Sequence, residues 1–105
     1  MSSFEDRERA FEAKFAHDEE MNFKAVARRN KLLGLWAAGL LGKTEAEAAA
    51  YASAVIKADF EEAGHEDVVR KVAADLGDLA TPDVIRAKMD ALLVEAKAQL
   101  LTEIR

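Results

Sequence analysis

The chain has no cysteine, one proline and only five glycines among 105 residues. Without cysteine there is no disulfide, no thiol nucleophile and no Cys-ligated metal, and the redox compartment stays open. The proline falls at position 82 and no glycine precedes Gly34, so little interrupts long helices. Aromatic residues make up 7% of the chain, which gives each ring weight as a signal. The strongest apolar run, Leu32 to Gly42, is far short of the roughly twenty residues a bilayer span needs. No charged stretch leading into an apolar one opens the chain, so no signal peptide is visible. A cytoplasmic protein without direct membrane insertion is expected.

Half of the residues are hydrophobic and a third charged, which excludes a fully disordered chain. The length suits one compact domain. Charge is unevenly placed: residues 1–20 carry three Lys/Arg against seven Asp/Glu, residues 21–43 carry five and no acid, and residues 44–105 carry seven against thirteen. The total of −5 argues against a nucleic-acid partner, because affinity for phosphate backbones comes from many uncompensated cations.

The periodicity predicts helices and no competing strands. Phe23, Val26, Asn30, Leu33, Ala37 and Leu40 alternate steps of three and four, a stripe broadened by Leu32, Leu35, Trp36 and Leu41, and Gly42 ends this helix. Thr44 and Glu47 form a capping-box pattern that opens a second helix, with Ala48, Tyr51, Ala52, Val55, Ile56 and Phe60 as its apolar face and Gly64 as its end. A shorter helix is predicted from about Glu66 to Leu76, with Val68, Val69, Val72 and Leu76 inward and Gly77 as its stop. Thr81 as cap and Pro82 at the first helical position open the last, with Ile85, Met89, Leu92, Leu93, Ala96 and Leu100 inward. The fold class is therefore all-α, a four-helix domain over residues 21–105.

Residues 1–20 differ in kind. At about 100° per residue, Phe4, Phe11 and Phe15 fall within roughly 20° of one line on a helix surface. The remainder of the segment is mostly charge. Burying three phenylalanines contributes about 1.5 to 3 kcal/mol each, whereas ordering some eighteen residues costs on the order of 1 to 2 kcal/mol apiece in backbone entropy. Helical hydrogen bonds offset part of that cost. A marginal, mobile helical arm suited to a partner's groove is expected, against the alternative that the stripe packs on the chain's own bundle.

Other candidate sites carry bland alternatives. His17 and His65 read as solvated surface histidines, since a metal needs two or more convergent ligands. Glu61, Glu62, Glu66 and Asp67 straddle Gly64 as a solvated helix junction without the spaced oxygens of a calcium loop. Trp36 has the spacing of core. Asn30 and Asp59 lie near apolar stripes, either as buried polar groups that set helix register or at a solvent margin. Lys24, Arg28, Arg29 and Lys31 are the basic cluster, a possible nucleotide-binding patch. No nucleophile with base and orienting group is evident and no glycine-rich phosphate loop exists, so neither an enzyme nor a cofactor is expected. A membrane-surface helix is disfavoured because the polar face of residues 1–20 is rich in acids.

The string FEDRERAFEAKFAHDEE, followed by FKAVARRNKLLGLWAAGLLG, resembles the zeta subunit, the inhibitor of the F-type ATP synthase of alphaproteobacteria. The similarity is dense over residues 4–42. It continues through Tyr51, Ala52, Val55, Asp59, Phe60 and Glu61, and through Ile85, Lys88, Met89, Leu92 and Leu93. The resemblance implies a four-helix bundle whose N-terminal arm inserts between catalytic subunits of the enzyme's head and blocks rotation in the hydrolytic direction. It implies the alpha, beta and gamma subunits of that head as partners, and association with the inner membrane through the synthase. By the same resemblance Phe4, Phe11 and Phe15 are apolar anchors and Arg7, Arg9 and Lys14 charged contacts. The alternative function is a nucleotide-binding or sensing module using the basic cluster, with nucleotide as a weak ligand.

Overall fold

The computed structural model describes residues 19–61 and 64–103. They form four α-helices, α1 (Glu19–Leu40), α2 (Glu45–Glu61), α3 (Glu66–Leu76) and α4 (Pro82–Glu103), with a 3-10 turn at Gly77–Leu79. This is the all-α four-helix bundle that the periodicity predicts. The proposed arm lies outside the described residues except for Glu19 and Glu20, which already belong to α1.

Local chemistry explains where the helices begin and end. α1 closes on a Schellman motif: the Lys43 N–H donates to the Ala38 carbonyl at 3.0 Å and the Gly42 N–H to Gly39 at 3.2 Å, with Gly42 at φ 71°. A left-handed residue there satisfies carbonyls that the helix leaves orphaned. At the start of α2 the capping box is formed in full. The Thr44 N–H donates to Glu47 Oε1 at 2.9 Å and the Glu47 N–H to Thr44 Oγ1 at 3.3 Å. α4 opens with Thr81 Oγ1 accepting from the Val84 N–H at 3.2 Å and Pro82 in the first turn, where its missing N–H costs nothing.

α1 is the central element and packs against α2, α3 and α4. The main core joins Leu33 and Ala37 of α1 to Val55 of α2, to the three valines and Leu76 of α3, and to Ile85, Met89 and Leu92 of α4. Trp36 packs at its margin, with Lys88 Nζ 5.7 Å from the ring centroid. A second, smaller cluster holds Met21 and Ala25 against Leu100, with Leu93 beside it. α1 and α2 approach so closely that a Cβ built on Gly34 would stand 2.6 Å from the Ala52 Cα.

The inward faces expected for α3 and α4 are the ones observed, although Leu93 is only partly buried. Those of α1 and α2 need correction at one end. Leu35 and Leu40, farther along α1, face outward, and at the end shared by the two helices Phe23 is 56% exposed and Phe60 60% exposed. At the Phe23–Phe60 end the cause is helix length. At about 1.5 Å per residue, α3 with 11 residues reaches only half as far as α1 with 22. Beyond its reach α1 turns a different side inward: Met21 and Ala25, which are buried, lie roughly 180° and 140° around the helix from Asn30. They face α4, which leaves Phe23 in the open.

Candidate functional site

The N-terminal half of α1 carries the basic cluster, and the structure divides it. Lys24 Nζ stands 3.2 Å from Glu20 one turn earlier, both largely exposed. Arg28 reaches the end of α4 and grips Glu103 with both arms of its guanidinium, Nη1 donating to Oε2 at 2.6 Å and Nη2 to Oε1 at 2.8 Å. Nη1 also donates to Gln99 Oε1 at 2.9 Å. The hydrogen bond to Glu103 raises the Arg28 pKa, and the same bond lowers that of Glu103. Lys31 is exposed. Lys24, Arg28 and Lys31 line one groove of about 530 Å³ together with Met21, Phe23 and Leu100.

Arg29 points the other way. It is 4% exposed, and its neighbour Asn30 is 1% exposed. Nε and Nη2 of Arg29 donate to Asn30 Oδ1 at 3.1 and 2.9 Å, while Asn30 Nδ2 donates to Asp59 Oδ2 at 2.9 Å. His65 Nδ1 sits 3.1 Å from Arg29 Nη2 and 3.4 Å from Asp59 Oδ1. Burial pushes the Arg29 pKa down, and the carboxylates of Asp59 and Asp90 act against that shift. A guanidinium this deep is tolerable only with a counter-ion and a complete set of acceptors. The cluster ties α1, α2 and the start of α3 together. Of the two alternatives left open for Asn30 and Asp59, the buried polar role is therefore the observed one. His65, read from sequence as a solvated residue, is a half-exposed partner in this cluster, with its side chain 53% exposed.

The remaining predicted groups fall elsewhere. Glu66 forms a two-point contact with Arg86 of α4, at 2.7 and 3.2 Å. Asp67 pairs with Arg70 one turn on, at 3.8 Å. Among the described residues no group of three or more potential metal ligands converges. No helix among them is long and apolar enough to cross a membrane. Phe4, Arg7, Arg9, Phe11, Lys14, Phe15 and His17 lie outside the described residues.

The sequence assigned Phe23 and Phe60 to the core, and in the structure they form an exposed pair with ring centroids 5.5 Å apart. Phe23 lines both the larger groove and a second one of about 260 Å³ that runs past Phe60, Asp59 and His65. Asn22 and Lys24 beside Phe23, and the acids Asp59, Glu61 and Glu62 around Phe60, were signals of this margin. The spacing of the two rings alone reads as core.

A small helical bundle with exposed rings between open grooves is the build of a module that acts by binding. Comparison with known families makes this specific. The family model described as ATPase inhibitor subunit zeta matches residues 1–99, and the chain belongs to that family. A solved solution NMR structure is similar, with 60% sequence identity and a TM-score of 0.74, and the match covers 79% of this chain and 98% of that one. The search of curated proteins finds no match. Family membership supports a role as an inhibitor of ATP synthase and an interaction with that complex.

Proposed function

We propose that the chain inhibits ATP hydrolysis by inserting residues 1–20 as a helix between catalytic subunits of the F-type ATP synthase head, and so blocks rotation. The observation that carries this is the extent of the family match, which begins at residue 1 and thus takes in the acidic, phenylalanine-bearing segment as well as the bundle. Phe4, Phe11 and Phe15 are the anchors in this proposal, and Arg7, Arg9 and Lys14 meet charges on the catalytic subunits. The bundle of residues 21–105 holds the arm in place, and contact with the head brings the protein to the inner membrane.

The experiment is a titration of ATP hydrolysis by isolated catalytic head with purified variants of equal melting temperature. Phe11→Ala or Phe15→Ala should each cost about 2 to 4 kcal/mol, as the loss of a central anchor does. That corresponds to roughly a thirtyfold to several-hundredfold rise in inhibitory concentration. Glu5→Ala, Glu8→Ala and Glu12→Ala should move it by less than about tenfold. If the phenylalanine variants inhibit like the parent while the acid variants fail, the arm docks through its charged side and this mechanism is wrong.

A second reading is favoured by the larger groove. Lys24, Arg28 and Lys31 share its lining, and although Arg28 is held by Glu103, Lys24 and Lys31 present cations that suit a nucleotide's phosphates. Calorimetric titration with ATP and ADP tests it, using Lys24→Ala and Lys31→Ala. Arg29→Ala is unsuitable because that side chain belongs to the buried cluster. Micromolar affinity lost on both substitutions supports the nucleotide site, and affinity unchanged by them removes it.

A further inference from the structure

The end of the bundle from which α1 leads back to residues 1–18 carries the two exposed phenylalanines of the described residues. Phe23 and Phe60 are more than half exposed and pack on each other at 5.5 Å. α3 is too short to shield them, and Met21 and Ala25 direct α1's buried side toward α4 instead. Scattered apolar residues on a surface need no explanation, but two contiguous aromatic rings set between grooves do. Among the larger groove's lining residues, three cations, Lys24, Arg28 and Lys31, face a single carboxylate, Glu103.

We propose that the Phe23–Phe60 edge and the grooves beside it form the bundle's own docking surface for ATP synthase, taking an apolar projection of the enzyme's head that is rimmed by carboxylates. The proposal rests on the reading of residues 1–20 as an inserted arm. Two observations fix the occupant. Phe23 lies four residues beyond Glu19, where the described part of α1 begins, so an arm held by the head brings this end of the bundle against the enzyme. Around the larger groove the three cations meet two carboxylates, Glu103 and the Glu20 paired with Lys24, and the one positive charge left over complements a negatively charged rim. Physically, a second contact beside the first forms within one complex at an effective concentration set by a short tether. It lengthens residence without any new interaction in the arm, and most tuning of affinity acts through dissociation.

The test uses the full chain and isolated catalytic head. Phe23→Ala with Phe60→Ala removes two exposed rings and leaves the core residues untouched, and Lys31→Glu reverses an exposed charge at the groove. Melting curves first establish that each variant is folded. Both variants should raise the inhibitory concentration about tenfold or more and speed dissociation by a similar factor, while inhibition still becomes complete at saturation because the arm is intact. An unchanged inhibitory concentration for both overturns the proposal. So does sedimentation showing the parent as a dimer and the double variant as a monomer, which would assign the surface to a second copy of the chain. Amide exchange around Phe23 and Phe60 that rises in the isolated protein when residues 1–18 are deleted would assign it to the chain's own arm, and also overturns it. Failure of the arm itself shows on different variants, as undiminished inhibition by Phe11→Ala and Phe15→Ala.

Discussion

Between α1 and α2 the backbones come together at Gly34, where an added methyl would stand 2.6 Å from the Ala52 Cα and 3.1 Å from its Cβ. The nearest obstacle is backbone, which cannot rotate aside as a side chain does. Gly34→Ala should therefore destabilise the bundle by about 1 to 3 kcal/mol through overpacking, which outweighs the gain of up to about 1 kcal/mol in helix propensity. Gly39, five residues later in the same helix, has nothing within 4 Å of its added Cβ. Gly39→Ala should then stabilise by up to about 1 kcal/mol. Urea unfolding of both variants tests the pair, and shifts of the same sign would contradict the packing described. Arg29 shows the opposite dependence. Its role is set by the adjacent Asn30 together with Asp59 and His65, 30 and 36 positions away, and the sequence string Arg28-Arg29 gives no hint that adjacent guanidinium groups leave on opposite errands.

At the scale of elements, capping chemistry is local and was legible. Thr44 with Glu47, Thr81 with Pro82, and the glycines at 42 and 77 announce helix ends within a few residues of themselves. Thr44→Ala should cost about 1 kcal/mol, seen as a fall in melting temperature of roughly 4 to 8 °C for a domain of this size. A variant that melts with the parent would mean that the α1–α2 turn holds without the Thr44 hydroxyl. The buried faces of α3 and α4 were legible for the same local reason, since each faces the core along its length. α1 and α2 outrun α3, and periodicity assigns one face to a whole helix even where the set of neighbours changes midway. Phe23 and Phe60 were misplaced on that account. The basic cluster was legible as residues and not as a surface, because only tertiary packing tells that Arg29 turns inward.

Over the whole molecule, exposed carboxylates on different elements are held below their ordinary pKa. The Thr44 backbone and hydroxyl lower Glu47, Arg86 lowers Glu66 and Arg28 lowers Glu103. Groups depressed in the folded state contribute stability that is present above the unfolded pKa, about 4.3 for glutamate, and is lost as pH falls through the lower folded values. For these three groups, stability should stay flat from neutrality to about pH 5 and decline below about pH 4. Glu66→Gln combined with Glu103→Gln should flatten that decline, and thermal melts between pH 3 and 7 read it directly. An acid limb equally steep in the double variant would show that other carboxylates govern acid unfolding.

The antiparallel grip of α4 on α1 has a mechanical consequence. Any pull on residues 1–18 enters the bundle at Glu19 and runs along the axis of α1. Its contacts with α2 and α4 are then strained in parallel, as in shear, instead of opening one after another as in a zipper. The Arg28 fork on Glu103 and the Asn30 bond to Asp59 cross that axis to two different helices ahead of Leu33. Both resist sliding before the load reaches Leu33 and the main core. If the arm is held by the enzyme as proposed, the bundle bears the resulting tension along α1.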